Sequence, residues 1–161
     1  MSRMGTQSIS AENRLAALGL ELNPAPTPLG AYAEAVQTGN LLYLSGMLPT
    51  IDSKPAFVGK IGREFDVEQG REATKTATLN VLSNVRQALG SLDKVKRVVK
   101  LGVSLATDGD FRAHPKVADA GSELLRDVFG QDSLPVRLIY GVASLPLGVP
   151  VELEVIFEVE N

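Results

Sequence analysis

Residues 151–159 read VELEVIFEV. Val151, Leu153, Val155, Phe157 and Val159 fall on one parity, and Glu152, Glu154, Ile156 and Glu158 on the other. Period-two alternation of this length belongs to a β-strand with one face in a core. A sheet with one apolar face must be covered by another layer. The rest of the sequence is therefore read for strands to pair with this one and helices to cover it.

Two short strand signals, Tyr32 to Val36 and Leu41 to Met47, flank the turn QTGN. Residues 49–65 carry Pro49, Pro55, Gly59 and Gly62 and read as a long loop. Asp66 with Gln69 three residues on has the form of a capping box. It opens a helix whose stripe is Val67, Ala73, Ala77, Val81, Val85 and Leu89, closed by Gly90. A valine-rich strand follows from Val95 to Ala106. A second helix begins near Pro115 and ends at Gly130, with Val117, Gly121, Leu124, Leu125 and Val128 on its inner face. Strands at about 136–144 and 151–159 complete the order β-β-α-β-α-β-β. The class is α+β, with both helices on one face of the sheet.

Upstream, Ser10 caps a short helix, Ala11 to Leu18, ended by Gly19, and residues 1–9 read as polar and loose. The run NPAPTP at 23–28 reads as extended linker. We divide the chain into an N-terminal arm, 1–27, and a domain, 28–161.

The segment LPVRLIYGVASL, 134–145, places one charge, Arg137, in an otherwise apolar strand. If this strand forms a hairpin with VELEVIFEV, pairing Ser144 with Val151 joins the apolar set Val136, Leu138, Tyr140 and Val142 to the core set. Arg137 and Glu152 then share the less apolar face. Glu152 lies opposite Ala143, about 20 Å from Arg137 at ~3.3 Å per residue, too far for a direct pair. Each charge would need a partner from elsewhere: a surface carboxylate such as Glu158 for Arg137, or another copy of the chain. A half-apolar face with isolated charges fits a subunit interface.

Bulk properties exclude several classes. The chain has 161 residues, no cysteine and one histidine, His114, so disulfides, thiolate metal sites, cysteine nucleophiles and His-rich zinc sites are not expected. His114 precedes Pro115 and reads as a turn residue. The net charge is −3. The densest basic cluster, Lys94, Lys96, Arg97 and Lys100, reads as the wet face of a strand, so no nucleic acid is expected as a partner. No apolar run reaches the ~20 residues of a membrane span. MSRMGTQSIS lacks the apolar centre of a secretory signal, and a cytoplasmic protein is expected.

Several ordered pieces carry a resemblance: PLGAYAEAV (28–36), GNLLYLSGMLP (39–49), the capped helix from Asp66, DFRAH (110–114), PVRLIYGVASLP (135–146) and VELEVI (151–156). Together they resemble the YjgF/RidA family of reactive-intermediate (enamine/imine) deaminases. The resemblance implies a chorismate-mutase-like fold and a homotrimer with ligand clefts between subunits. It implies hydrolysis of 2-aminoacrylate-like enamines and imines to 2-keto acids and ammonia, with no cofactor. Arg137 matches the arginine that holds the ligand carboxylate, and Glu152 the glutamate that orients or activates water. Tyr32, Ser45, Gly46 and Ile139 match positions lining the cleft. Three positions depart from the pattern. Met47 stands where glutamine is frequent, Pro115 where asparagine is common, and Ile139 where cysteine is frequent. These departures suit a second reading, a non-catalytic trimer that binds small carboxylates such as 2-keto acids. A ribonuclease activity, attached as a label to some relatives, fits poorly with an acidic chain that has a single histidine. A mutase activity would rest on shared fold alone.

Overall fold

The computed structural model describes residues 8–161; residues 1–7, most of the stretch expected to be loose, lie outside it. The elements run α1 (Ala11–Ala17), β1 (Ala35–Thr38), β2 (Leu41–Leu44), β3 (Thr50–Ile51), β4 (Lys54–Pro55), α2 (Val67–Leu89), β5 (Val95–Ala106), α3 (His114–Phe129), β6 (Val136–Val142) and β7 (Val151–Val159). The expected α+β order holds. β3 and β4 form a two-residue hairpin within the long loop.

The main sheet has the order β1-β2-β7-β5-β6. β7 runs antiparallel to both β2 and β5, while β5 and β6 are parallel. Val151, Leu153, Val155, Phe157 and Val159 are all essentially buried, as their alternation requires. They lie under α2 and α3 with Leu42, Val98, Leu101 and Val103. Full burial of a side chain such as Phe157 contributes roughly 1.5–3 kcal/mol. The two helices pack closely where Gly121 of α3 meets Thr74 and Thr78 of α2. A Cβ at Gly121 would lie 3.3 Å from Thr78 Oγ1, so the absent side chain brings α3 down onto Leu101.

Asp66 caps α2: its carboxylate accepts from Gln69 N–H, and the Gln69 side chain accepts from Asp66 N–H. Gly90 ends the helix in the left-handed region at φ 86°. Ser10 caps α1 by accepting from Asn13 N–H. Glu12 then clasps Arg86 of α2 through two hydrogen bonds, 3.1 and 2.5 Å, and accepts from Leu92 N–H. Leu15 is buried against the domain, and Asn23 O accepts from Ser83 Oγ.

One expectation is overturned. The segment 136–144 does not form a hairpin with β7, because β5 lies between β6 and β7. Sequential strands often pair, but here α3 supplies the long crossover that a parallel β5–β6 pair requires. The side-chain assignment of β6 reverses as a result. Val136, Leu138 and Tyr140 point away from the helices and are 71%, 50% and 56% exposed. Arg137 and Ile139 point toward the helix layer.

Candidate functional site

The site is built around the backbone at Gly46. Met47 and Leu153 exchange two backbone hydrogen bonds, 2.8 and 2.9 Å, which fasten the end of the β2 segment beside β7. α2 holds the same segment from behind. Asn80 donates to Leu48 O at 2.8 Å and Thr50 O at 3.0 Å, and the Asn84 amide contacts Met47 Sδ at 3.1 Å. Gly46 is thereby pressed against Glu152. A Cβ on residue 46 would sit 2.2 Å from Glu152 Oε1, so any side chain there would displace the carboxylate.

Glu152 stands between two clefts of about 300 Å³ on the uncovered side of the sheet. One is lined by Leu29, Tyr32, Ser45, Gly46, Leu48 and Pro146. The other holds Gly46, Gly102, Ser104, Tyr140 and Glu154. Desolvation by burial raises the Glu152 carboxyl above the ordinary carboxylate value of 4.5. Among the described residues no side chain or N–H hydrogen-bonds it. A carboxyl whose proton affinity is raised by burial, with both oxygens unclaimed, can accept and return protons.

The flanking groups are partly committed. Tyr32 Oη accepts from Leu29 N–H at 2.9 Å, which leaves its own proton available. Ser45 Oγ donates to Ala33 O at 2.5 Å, so its proton serves the turn. Glu34, half-buried and also raised by desolvation, lines a small apolar pocket behind Tyr32 with Pro26 and Thr27 of the arm.

Arg137 lies elsewhere. Its Nη1 donates to Asp119 Oδ1 at 2.7 Å and to Ser122 Oγ at 3.0 Å, both on α3. Nε and Nη2 make no hydrogen bond among the described residues. That edge of the guanidinium is the fork that grips a carboxylate through two parallel bonds. Arg137 is paired with Leu101, whose other neighbour Val155 is buried, whereas Glu152 pairs with Ser104. The two charged residues therefore occupy opposite faces of one sheet. The expectation that they share a face is incorrect, and one chain does not bring them together.

The chain matches the family model described as "YjgF/chorismate mutase-like, putative endoribonuclease" over residues 12–158. The chain belongs to the YjgF/RidA family. Protein TCP17 of Trypanosoma cruzi is 37% identical over 159 residues, covering 96% of this chain and 99% of that protein. The 2-iminobutanoate/2-iminopropanoate deaminase of Dermatophagoides farinae is 33% identical over 137 residues, 84% of this chain and 91% of its own. A crystal structure from Shewanella oneidensis MR-1, described as a "putative endoribonuclease", superposes with a TM-score of 0.90 at 31% identity, covering 94% of this chain and all of that one.

Within this YjgF/RidA-family chain, Tyr32, Ser45, Gly46 and Glu152 come together at one cleft. Arg137 and Ile139 lie apart from them on the helix side of edge strand β6. Met47 is 2% exposed and turns into the core toward Asn84, away from the cleft. His114 is the first residue of α3, its ring edge-on to Phe111 at 5.0 Å. Its Nε2 fills the space beside Gly141, where a Cβ would come within 2.9 Å. Sequence reasoning missed Ser104, Tyr140 and Glu34. Ser104 and Glu152 become neighbours only through the β5–β7 pairing, and Tyr140 was assigned to the core by the hairpin assumption.

Proposed function

We propose that this chain is a cofactor-independent deaminase of small enamine and imine acids, releasing a 2-keto acid and ammonia. The observation that carries the reading is Glu152, desolvated, without a protein partner and lodged over bare backbone at Gly46. The deaminase name of a relative that aligns over most of both chains supports it. In the reaction Glu152 takes a proton from water as the water oxygen bonds to the imine carbon. It passes that proton to nitrogen, forming a carbinolamine. The hydroxyl proton of that intermediate then moves to nitrogen by the same carboxylate as the C–N bond breaks and ammonia leaves. Because an imine is intrinsically electrophilic, orientation and proton transfer are the help required.

The open Nε–Nη2 edge of Arg137 holds the substrate carboxylate in this proposal. Since Arg137 and Glu152 lie on opposite faces of one sheet, the complete site takes Glu152 from one copy and Arg137 from another, in a homotrimer. The uncovered sheet face supports this assembly: Val36, Tyr43, Val136, Leu138 and Tyr140 stand exposed on it, an apolar area that association would bury.

The test generates imines with an amino-acid oxidase and traps them with semicarbazide. The protein is expected to shorten imine lifetime for at least one small amino acid. Decay identical to buffer for all of them would remove the activity. A second reading, carboxylate binding without turnover, is favoured by Asp119 on Arg137, which already occupies part of the guanidinium. It expects a 2-keto acid to raise Tm in a manner abolished by Arg137→Ala, with no imine consumed.

A further inference from the structure

Tyr140, Ser104 and Glu152 stand in one row across three adjacent strands. In register, Ser104 of β5 lies opposite Tyr140 of β6 on one side and Glu152 of β7 on the other. Side chains opposite each other across a ladder share a face, with Cβ atoms about 4.5–5.5 Å apart. All three line the same cleft, whose floor is opened by the bare backbones of Gly46 and Gly102. The hydroxyls of Ser104 and Tyr140 make no hydrogen bond among the described residues, and neither does the Glu152 carboxylate. The remaining charged group lining this cleft, Glu154, is already tied to Lys100 at 3.4 Å. Tyr32 lines the cleft on the far side of Glu152. A small cleft thus holds two hydroxyls, neither used by the fold, beside the carboxylate of the proposed proton-transfer group.

We propose that Ser104 and Tyr140 are further site residues, whose hydroxyls together with Glu152 receive the nitrogen of the substrate. The inference rests on the deaminase reading and extends it to the side of the reacting carbon remote from Arg137. The carboxylate of the substrate is held by the guanidinium. The nitrogen, which gains two protons as it leaves as ammonia, is held by three oxygens able to accept from it. A hydroxyl also donates, so the same pair serves the neutral imine at the start and the amine at the end. Tyr140 lies outside the core of the chain, on the face that association would cover, and Tyr140→Phe keeps the ring that would pack there while removing only the hydroxyl from the cleft.

The experiment compares two unreactive ligands that differ in the group under test. L-alanine carries a carboxylate and a nitrogen; pyruvate carries the carboxylate and a ketone. Binding of each is measured by calorimetry to the unaltered protein, Tyr140→Phe and Ser104→Ala, alongside imine turnover. Each variant is expected to weaken L-alanine about 10-fold or more while pyruvate changes less than about 3-fold, since a hydrogen bond to a charged group is worth roughly 1.5–3 kcal/mol. Turnover falls in kcat/KM. Equal losses for the two ligands, no loss in either variant, or no L-alanine binding by the unaltered protein would each overturn the assignment. Failure of the deaminase reading is distinguishable: imine decay would match buffer while the selective loss of L-alanine persisted.

Discussion

At the scale of single residues, Glu152 carries the account. Its carboxyl is raised above 4.5 because burial penalises the charged form. Between 4.5 and the raised folded value, the folded chain binds more protons than the unfolded one. Stability contributed by this group is therefore full below 4.5 and falls as pH rises through that window. Glu152→Gln removes the titration. The variant is expected to lose turnover, to melt higher than the parent at neutral pH, and to show a flatter dependence of Tm on pH above 4.5. Melting curves across the acid range check this, and parallel profiles for the two proteins would refute it. Glu34, raised by the same cause, titrates in both and cancels in the comparison. Glu152 was legible in the sequence because it sits within strict alternation. Its neighbours were not, because Ser104 and Tyr140 meet it only through strand pairing.

At the scale of elements, α2 does two things. It covers β2 and β7, and through Asn80 and Asn84 it fixes the Leu48–Thr50 segment that presents Gly46. Its start is secured by the Asp66–Gln69 capping box. Asp66→Ala is expected to cost about 1 kcal/mol and lower Tm by roughly 2–4 °C, with turnover at low temperature unchanged. Thermal denaturation measures this; an unchanged Tm would show that the cap is dispensable. The capping box, the β5 span and the β7 alternation could all be read locally. β6 could not: VRLIYGV has apolar residues on both parities, so periodicity assigns it no face. Its orientation is set by α3, whose Asp119 and Ser122 draw Arg137 inward at the sheet edge.

At the scale of the whole molecule, the arm and the open sheet face distinguish two regions. The arm is fastened to the helix layer by Glu12–Arg86 and Leu15, and reaches the rim of the Glu34 pocket with Pro26 and Thr27. TCP17 and the Shewanella structure align over more of the chain than the mite deaminase does, 96% and 94% against 84%. The opposite face is the one we propose a second copy covers, and on it depends the central claim: that the site joins Glu152 of one chain to Arg137 of another. Mixing two inactive variants tests this most directly. Arg137→Ala and Glu152→Gln are each purified, shown to assemble, then unfolded and refolded together in equal amounts. Random assembly places an intact Arg137 against an intact Glu152 in about a quarter of the sites, so imine turnover should return to about that fraction of the unaltered protein's. A mixed assembly as inactive as either variant alone would contradict the claim.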